Sequence, residues 1–405
     1  MSEAAGKPLQ SYRFMLLYAL AVAGGAIAYV PFLTIIFPMR VTFLAGADDV
    51  QWLAYMTFAG AISASLGNIL FGWLSDVTRH RRGWILCGLI CSSLLLLGFA
   101  WVERFEALIG LILLWQLSLN MMLAPLGAWA GDCVPDHQKG MLGGLIAFSP
   151  ALGAFSAAII TIPGLAGPET RLWMVAALVV VCVVPVIIFG APRRLPELQP
   201  ALGIEQVRPV IERHGRQMVV RMWVARLLVQ ISEAALFAYL YFWFRSIDSG
   251  LGDSTTARIL SIVLITAIPI AIITGRWADR HDRPIFPLAV FAGCSSIGLL
   301  VMALSSTPIS AIAGYFLFGL ATTVFLSLHT GQTLRVLPKA ERRGRDLGLF
   351  NLTNTTPSLV MPWIVLALVP IFGFPVLLGL LAFLALAACI VLATFPKASN
   401  IPEIA

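Results

Sequence analysis

The sequence predicts an all-α membrane protein: twelve transmembrane helices in two six-helix bundles, with both termini cytoplasmic. Three observations lead there. The chain is 59% hydrophobic and only 12% charged, with a mean hydropathy of +0.90, whereas soluble domains are about a quarter charged. Its apolar residues fall into about twelve continuous runs, each near the ~20 residues that a spanning helix needs. Only helices and closed barrels satisfy the backbone in lipid, and unbroken apolar runs are helices. Finally, one charged stretch is written twice. Gly72-Trp-Leu-Ser-Asp76-Val-Thr-Arg79-His-Arg81-Arg82-Gly83 returns as Gly275-Arg276-Trp-Ala-Asp279-Arg280-His-Asp282-Arg283-Pro284, its aspartate 203 positions on in a chain of 405.

That spacing reads as duplication, and a second marker agrees. Pro135 followed by Gly140 and Gly144 matches Pro338 followed by Gly344 and Gly348, at an offset of 204 between the last glycines. The expected organisation is a bundle over 1–190, a cytoplasmic linker over 191–221 and a second bundle over 222–405. Parallel repeats of this kind are a transporter signature.

Each element follows from local composition. Span 1 runs from Phe14 to Phe37, with Pro31 expected to kink it because proline removes a backbone donor. Span 2 covers Val50 to Leu74, with Ser63, Ser65 and Gly67 suited to close helix packing. The first charged stretch follows. Span 3 covers Trp84 to Val102, and span 4 covers Ala107 to Ala130, where Gln116 and Asn120 share a face at i, i+4. Span 5 ends near Ile162 and span 6 covers Leu172 to Gly190. Pro192, Pro196 and Pro200 then break the helix, and Ile204, Val207, Val210 and Ile211 recur at helical spacing among charges. That stretch reads as an amphipathic helix on the membrane face or as a plain solvated linker. Spans 7 to 10 cover Met222 to Phe244, Arg258 to Thr274, Ile285 to Leu304, and Pro308 to His329. Span 11 ends near Pro370, and span 12 runs from Pro375 to Phe395.

Charge placement orients the chain. With the N-terminus inside, five arginines (Arg40, Arg104, Arg171, Arg245, Arg258) fall in outer loops and Arg226 falls inside a span; the remaining 21 of the 27 Lys and Arg residues are cytoplasmic. This is the positive-inside bias. It accounts for the net charge of +7 without a nucleic-acid partner. The six cysteines lie in or beside apolar runs with no metal-ligand spacing, so neither a metal nor a cofactor is expected. The short polar N-terminus and long first run read as a retained span, not a cleaved signal.

The repeated stretch resembles the signature loop of the major facilitator superfamily, Gly-x-x-x-Asp-Arg-x-x-Arg between spans 2 and 3. The second copy matches at Gly275, Asp279, Arg280 and Arg283; the first has Val77 where arginine is usual. The runs Arg79-His-Arg81-Arg82-Gly-Trp-Ile-Leu and Arg343-Gly-Arg-Asp-Leu-Gly-Leu-Phe-Asn351 are similar to the sugar–cation symporter branch, which includes sucrose–proton symporters. The resemblance implies an inner gate built from Asp76, Arg79, Asp279, Arg280 and Arg283, with Asp132 at the end of span 4 as a further member. An aspartate at a helix end pairs with arginine or with a helix N-terminus.

An ionisable residue at bilayer depth costs ~2.5–3.5 kcal/mol on insertion scales and is functional by default. Span 7 carries two, Arg226 and Glu233, about 10 Å apart along one face with Gln230 between them. Glu233 is the candidate for the coupling proton; a structural pair with Arg226 is the other reading, and ligation of sodium or substrate a third. Candidate solute contacts are Gln116, Asn120, Arg226, Gln230, Tyr29, Tyr239, Asn351 and Asn354, with Tyr241 as a further aromatic wall. Amides and tyrosines both donate and accept hydrogen bonds, which suits a polyhydroxylated ligand. His329 reads either as a satisfied polar residue or as a proton relay.

The expected function is proton symport of a small polar solute, a sugar or glycoside, by a monomer in a bacterial inner membrane. Sodium is the alternative ion, and an exporter of drugs or siderophores is the alternative direction. A membrane enzyme or receptor lacks support, since the sequence shows no nucleophile–base pair, phosphate loop or sizeable soluble domain.

Overall fold

A chain this apolar must hold its backbone bonds within each segment, and it does so as helices. The computed structural model describes residues 9–135, 138, 142, 145–146, 148–193, 213–281, 283, 285–336 and 343–394, with only the backbone at 47, 213–217, 219, 279, 330–331, 333–336, 343–352 and 354–355. Among the described residues, ten helical runs are long and apolar enough to cross a membrane, and Ser149–Ile160 is a shorter apolar helix.

The first run, α1 (Tyr12–Ala45), starts at Ser11, whose hydroxyl accepts from the Phe14 amide. It widens into a π turn over Phe32–Ile36, directly after Pro31. Proline breaks the local ladder there, and Thr34 bonds the Val30 carbonyl at 2.6 Å. The kink expected at Pro31 is therefore a π turn, and the helix continues beyond Phe37 to Ala45. Next come α2 (Asp49–Thr78), α3 (Arg81–Gly98), α4 (Phe105–Cys133), α5 (Ser149–Ile160) and α6 (Pro168–Phe189). After the linker come α7 (Arg213–Ile247), α8 (Asp253–Arg280), α9 (Phe286–Ala303), α10 (Pro308–Val336) and α11 (Arg343–Ala393). The last is two helices joined across a kink at Gly373, whose φ of 74° and ψ of 178° are not helical; glycine alone adopts that conformation without strain. The seventh helix begins at Arg213, within the stretch expected to be linker. The amphipathic pattern at 204–211 and the markers Gly140, Gly144 and Pro338 lie outside the described residues.

Exposed helix faces carry large apolar side chains. Leu66, Ile69 and Trp73 project from α2, with Ile69 72% exposed. Contiguous apolar exposure of this kind is a liability in water and the normal condition of a helix in lipid.

The chain divides into two units, Met1–Val207 with Asp253–Ser261, and Arg208–Gly252 with Ile262–Ala405. In unit 1, α1 packs on α5 and α6, and α4 packs on α2 and α3. Phe32, Phe37, Phe99 and Trp115 form an aromatic knot, with Phe32 and Trp115 centroids 4.6 Å apart. Arg171 at the start of α6 pairs with Asp253 at 2.6 Å. In unit 2, α7 and α9 both pack on α11, and α9 packs on α10. Ala225, Val229, Leu288, Ala292, Phe325 and Ala388 are fully buried there together.

The two units share a packing device. A β-carbon on Gly88 of α3 would lie 2.7 Å from the Met121 carbonyl carbon of α4, and one on Gly298 of α9 would lie 2.8 Å from the Phe318 α-carbon of α10. Backbones this close admit only hydrogen at the crossing. Overpacking a site of this kind costs about 1–3 kcal/mol. Gly88→Ala and Gly298→Ala should therefore each lower the thermal unfolding midpoint of detergent-purified protein. Gly110→Ala, where a β-carbon meets open space, should leave the midpoint unchanged.

Candidate functional site

Two polar constellations stand out against the apolar background. The first is at the α2–α3 turn of unit 1. Thr78 ends α2, and Arg79 turns the chain in the left-handed conformation at φ 52°. Two residues later Arg81 opens α3 and reaches back. Its Nε donates to Asp132 Oδ2 at 3.0 Å, its Nη1 to Ser75 Oγ at 2.5 Å, and its Nη2 to Asp76. Arg81, 14% exposed in its side chain, thus holds Asp76 and Asp132, which are 63% and 51% exposed. The structure gives Arg79 the turn and Arg81 the carboxylates. Sequence reasoning named Asp76 and Asp132 but not Arg81 as their hub, because the motif alone does not say where α3 starts.

Neighbouring contacts stiffen the same end of unit 1. Arg82 donates to the Gly190 carbonyl and lies over the Trp129 ring, 5.3 Å from its centroid. Buried Gln10 donates through Nε2 to the Cys133 carbonyl at 2.8 Å and accepts from the Arg193 amide at 2.9 Å. In the second copy, Arg280 and Arg283 are exposed, and the Arg283 amide donates to the Ala278 carbonyl at 3.1 Å. The Asp279 side chain is not described.

The second constellation lies on α7 in unit 2. The 3.6-residue period places Arg226, Gln230 and Glu233 on one face. Ala225, Val229, Ser232 and Leu236 form the buried face. Gln230 Nε2 donates to Glu233 Oε2 at 2.9 Å. Among the described residues Glu233 makes no ion pair, although Arg226 acts on it electrostatically. Arg226 instead meets His329 of α10, Nη1 to Nδ1 at 3.4 Å. The other ring nitrogen, Nε2, lies 2.9 Å from the Met222 carbonyl, and His329 is fully buried. A carbonyl only accepts, so Nε2 carries the hydrogen and the Nδ1 lone pair faces the guanidinium. His329 is thus a bonded bridge between α10 and α7.

Tyr315 of α10 is nearly buried, packs edge-on to Phe244 at 5.8 Å, and lies within electrostatic reach of Glu233. Sequence reasoning did not single it out, since one tyrosine in an apolar run carries no signal. Tyr239 is buried, whereas Tyr241 accepts from Arg245 Nη1 at 3.4 Å. In unit 1, Asn120 accepts from Asn68 Nδ2 at 3.3 Å and donates to the Gln116 carbonyl at 2.9 Å, which ties α4 to α2. Gln116 and Tyr29 are half-buried. The side chains of Asn351 and Asn354 lie outside the described atoms.

A protein with long apolar helices, a duplicated charged turn and a charged helix face inside one unit suits solute movement across a membrane, and comparison with known proteins decides the family. The model of the Major Facilitator Superfamily matches residues 14–340 and 248–403. The chain belongs to the major facilitator superfamily. It is a multi-pass integral membrane transporter, not an enzyme. No curated protein matches its sequence. A crystal structure of the human organic anion transporter MFSD10 (TETRAN) is similar in fold, with a TM-score of 0.67 and 14% identity over 94% of this chain and 99% of that one.

The pairs at the α2–α3 turn are solvated, and solvated pairs contribute about 0.2–1 kcal/mol each. A double-mutant cycle of Arg81→Gln with Asp132→Asn should therefore give a coupling within that range in equilibrium unfolding. A coupling several times larger would show that this network holds unit 1 together.

Proposed function

We propose that this transporter is a proton-coupled symporter of a small polar solute, a sugar or glycoside, working by alternating access with Glu233 as the proton carrier. The observation that carries this reading is the Gln230–Glu233 bond on a face of α7. A carboxyl sits at bilayer depth in an apolar helix, held by a neutral amide instead of an ion pair. A carboxylate locked to a cation resists protonation, whereas one bonded to an amide is free to gain and lose a proton. The candidate amides and tyrosines supply donors and acceptors for hydroxyl groups, and the similarity of two short charged runs to sugar–cation symporters points the same way.

In this reading the chain crosses the membrane twelve times as bundles 1–190 and 222–405 joined by linker 191–221. Both ends are cytoplasmic, as the placement of Lys and Arg supports, and the protein is a monomer in a bacterial inner membrane. Gln116, Asn120, Arg226, Gln230, Tyr29, Tyr239, Asn351 and Asn354 contact the solute. The α2–α3 network of Asp76, Arg81 and Asp132, with Asp279, Arg280 and Arg283 in the second copy, holds the cytoplasmic gate. Sodium as the ion, or export of drugs or siderophores, are the alternatives.

A second solute class is favoured by Arg226, a cation on the same face as Glu233 that His329 orients. A guanidinium receives carboxylates in a fixed fork, and MFSD10, similar in fold, is an organic anion transporter. An acidic sugar or another organic acid satisfies both observations.

A thermal-shift panel of sugars, nucleosides, peptides and organic acids on purified protein should find the solute, because a ligand stabilises the state it binds. With that solute, proteoliposomes should acidify internally on inward uptake. Glu233→Gln should abolish accumulation against a gradient and retain solute exchange. Full accumulation by Glu233→Gln, or a requirement for sodium in place of the proton gradient, would overturn the assignment. If Arg226 receives an anionic group, Arg226→Gln should weaken binding of acids at least tenfold, about 1.4 kcal/mol, and leave neutral sugars unaffected.

A further inference from the structure

The Gln230 side chain is only half used. Its Nε2 donates to Glu233 Oε2 at 2.9 Å, yet its Oε1 is buried with no hydrogen-bond partner among the described residues. A buried orphan acceptor is uncommon and calls for a reason. The two groups supply one. An amide presents a donor and an acceptor from the same carbon, and a carboxylate presents two acceptors from the same carbon. With one N–H···O bond made between residues three apart on a helix, the amide carbonyl and the second carboxylate oxygen remain as acceptors. Neither supplies a hydrogen, so Oε1 remains unpaired as long as Glu233 is ionised.

We infer that Gln230 seats the transported proton: on protonation, the new Glu233 O–H donates to Gln230 Oε1, and the two side chains close into a doubly hydrogen-bonded acid–amide pair. The inference rests on Glu233 being the coupling carboxyl. A hydronium ion gives one proton to the second carboxylate oxygen and leaves as water, the charge on Glu233 is neutralised, the N–H···O bond persists, and one O–H···O bond is added. Deprotonation reverses it. Gln230 is therefore a positioning residue that gives Glu233 a bonded partner in both of its states. The groups around the pair are few. Arg226 lies on α7 itself, and α10 brings Tyr315 and, through Arg226, His329. The described part of α11 brings Cys389 as its only titratable side chain, against the Ala225–Val229 cluster. None of these supplies an acceptor–donor pair matched to a carboxyl as the amide does.

The test is pH-difference infrared spectroscopy of the full chain in lipid, with Glu233→Gln marking the acid carbonyl band and Gln230→Met marking the side-chain amide band. Gln230→Leu removes the same amide band if Gln230→Met fails to fold. In the wild type, the acid band should grow as pH falls, and the amide carbonyl band should shift to lower frequency along the same titration curve. In Gln230→Met the acid band should move to the higher frequency of a less strongly bonded acid. A wild-type acid band that titrates while the amide band stays still would overturn the pair and leave Glu233 as carrier. Absence of any titrating band that Glu233→Gln removes would overturn the carrier itself, and the pair with it.

Discussion

An ionisable group inside an apolar membrane helix must keep a hydrogen-bond partner at all times, and unit 2 is arranged around that constraint. Charge at bilayer depth costs several kcal/mol when unsatisfied. Two such groups on one face of α7 would most simply have neutralised each other. They are instead about two turns apart and are bonded separately, Glu233 to Gln230 and Arg226 to His329. The buried Met222 carbonyl fixes the histidine tautomer, and the tautomer aims the lone pair at the guanidinium. Each group thus has a bonded partner of its own in place of a direct ion pair.

The apolar packing around that face keeps it in register. Ala225 and Val229 press α7 against α9, α10 and α11, so the opposite face is held at a constant rotation. Close glycine contacts do the same between α9 and α10, and between α3 and α4 in unit 1. In lipid there is little hydrophobic drive between helices, so tight backbone contact and hydrogen bonds carry more of the specificity. The serine bonds follow the same logic: Ser296 donates to the Ala382 carbonyl and Ser63 to the Leu113 carbonyl, each across a helix pair. The two polar constellations differ in kind. At the α2–α3 turn the carboxylates are largely solvated, so the network contributes little to stability and is suited to forming and breaking. On α7 the amide oxygen is buried and every unsatisfied atom costs more.

Much of the fold was legible in one dimension because lipid imposes simple rules. Run length, apolar continuity and the repeated Asp76 and Asp279 stretches were enough to reach the superfamily. Arg226 and Glu233 were legible for the same reason: a charge in an apolar run is conspicuous. Tyr315 and Arg81 were not. Tyr315 is one aromatic among many, and its role depends on α10 bringing it toward α7. Arg81 is one of three arginines within four positions, and only the left-handed turn at Arg79 decides which of them faces Asp76 and Asp132. The helix ends also moved, α1 to Ala45 and α7 back to Arg213, because hydropathy marks the lipid-facing part of a helix and not its hydrogen-bonded length.

Sequence by itself determined that this chain lives in lipid, that it is all-helical, and that α7 carries two ionisable residues within an apolar run. Composition and period suffice for these because each is a property of a single segment. Tertiary structure alone decided the partners: Gln230 and not Arg226 for Glu233, His329 for Arg226, Arg81 for Asp76 and Asp132. Partner choice depends on helix rotation and on distances of a few tenths of an ångström between segments that are far apart in the chain, and no local pattern encodes those.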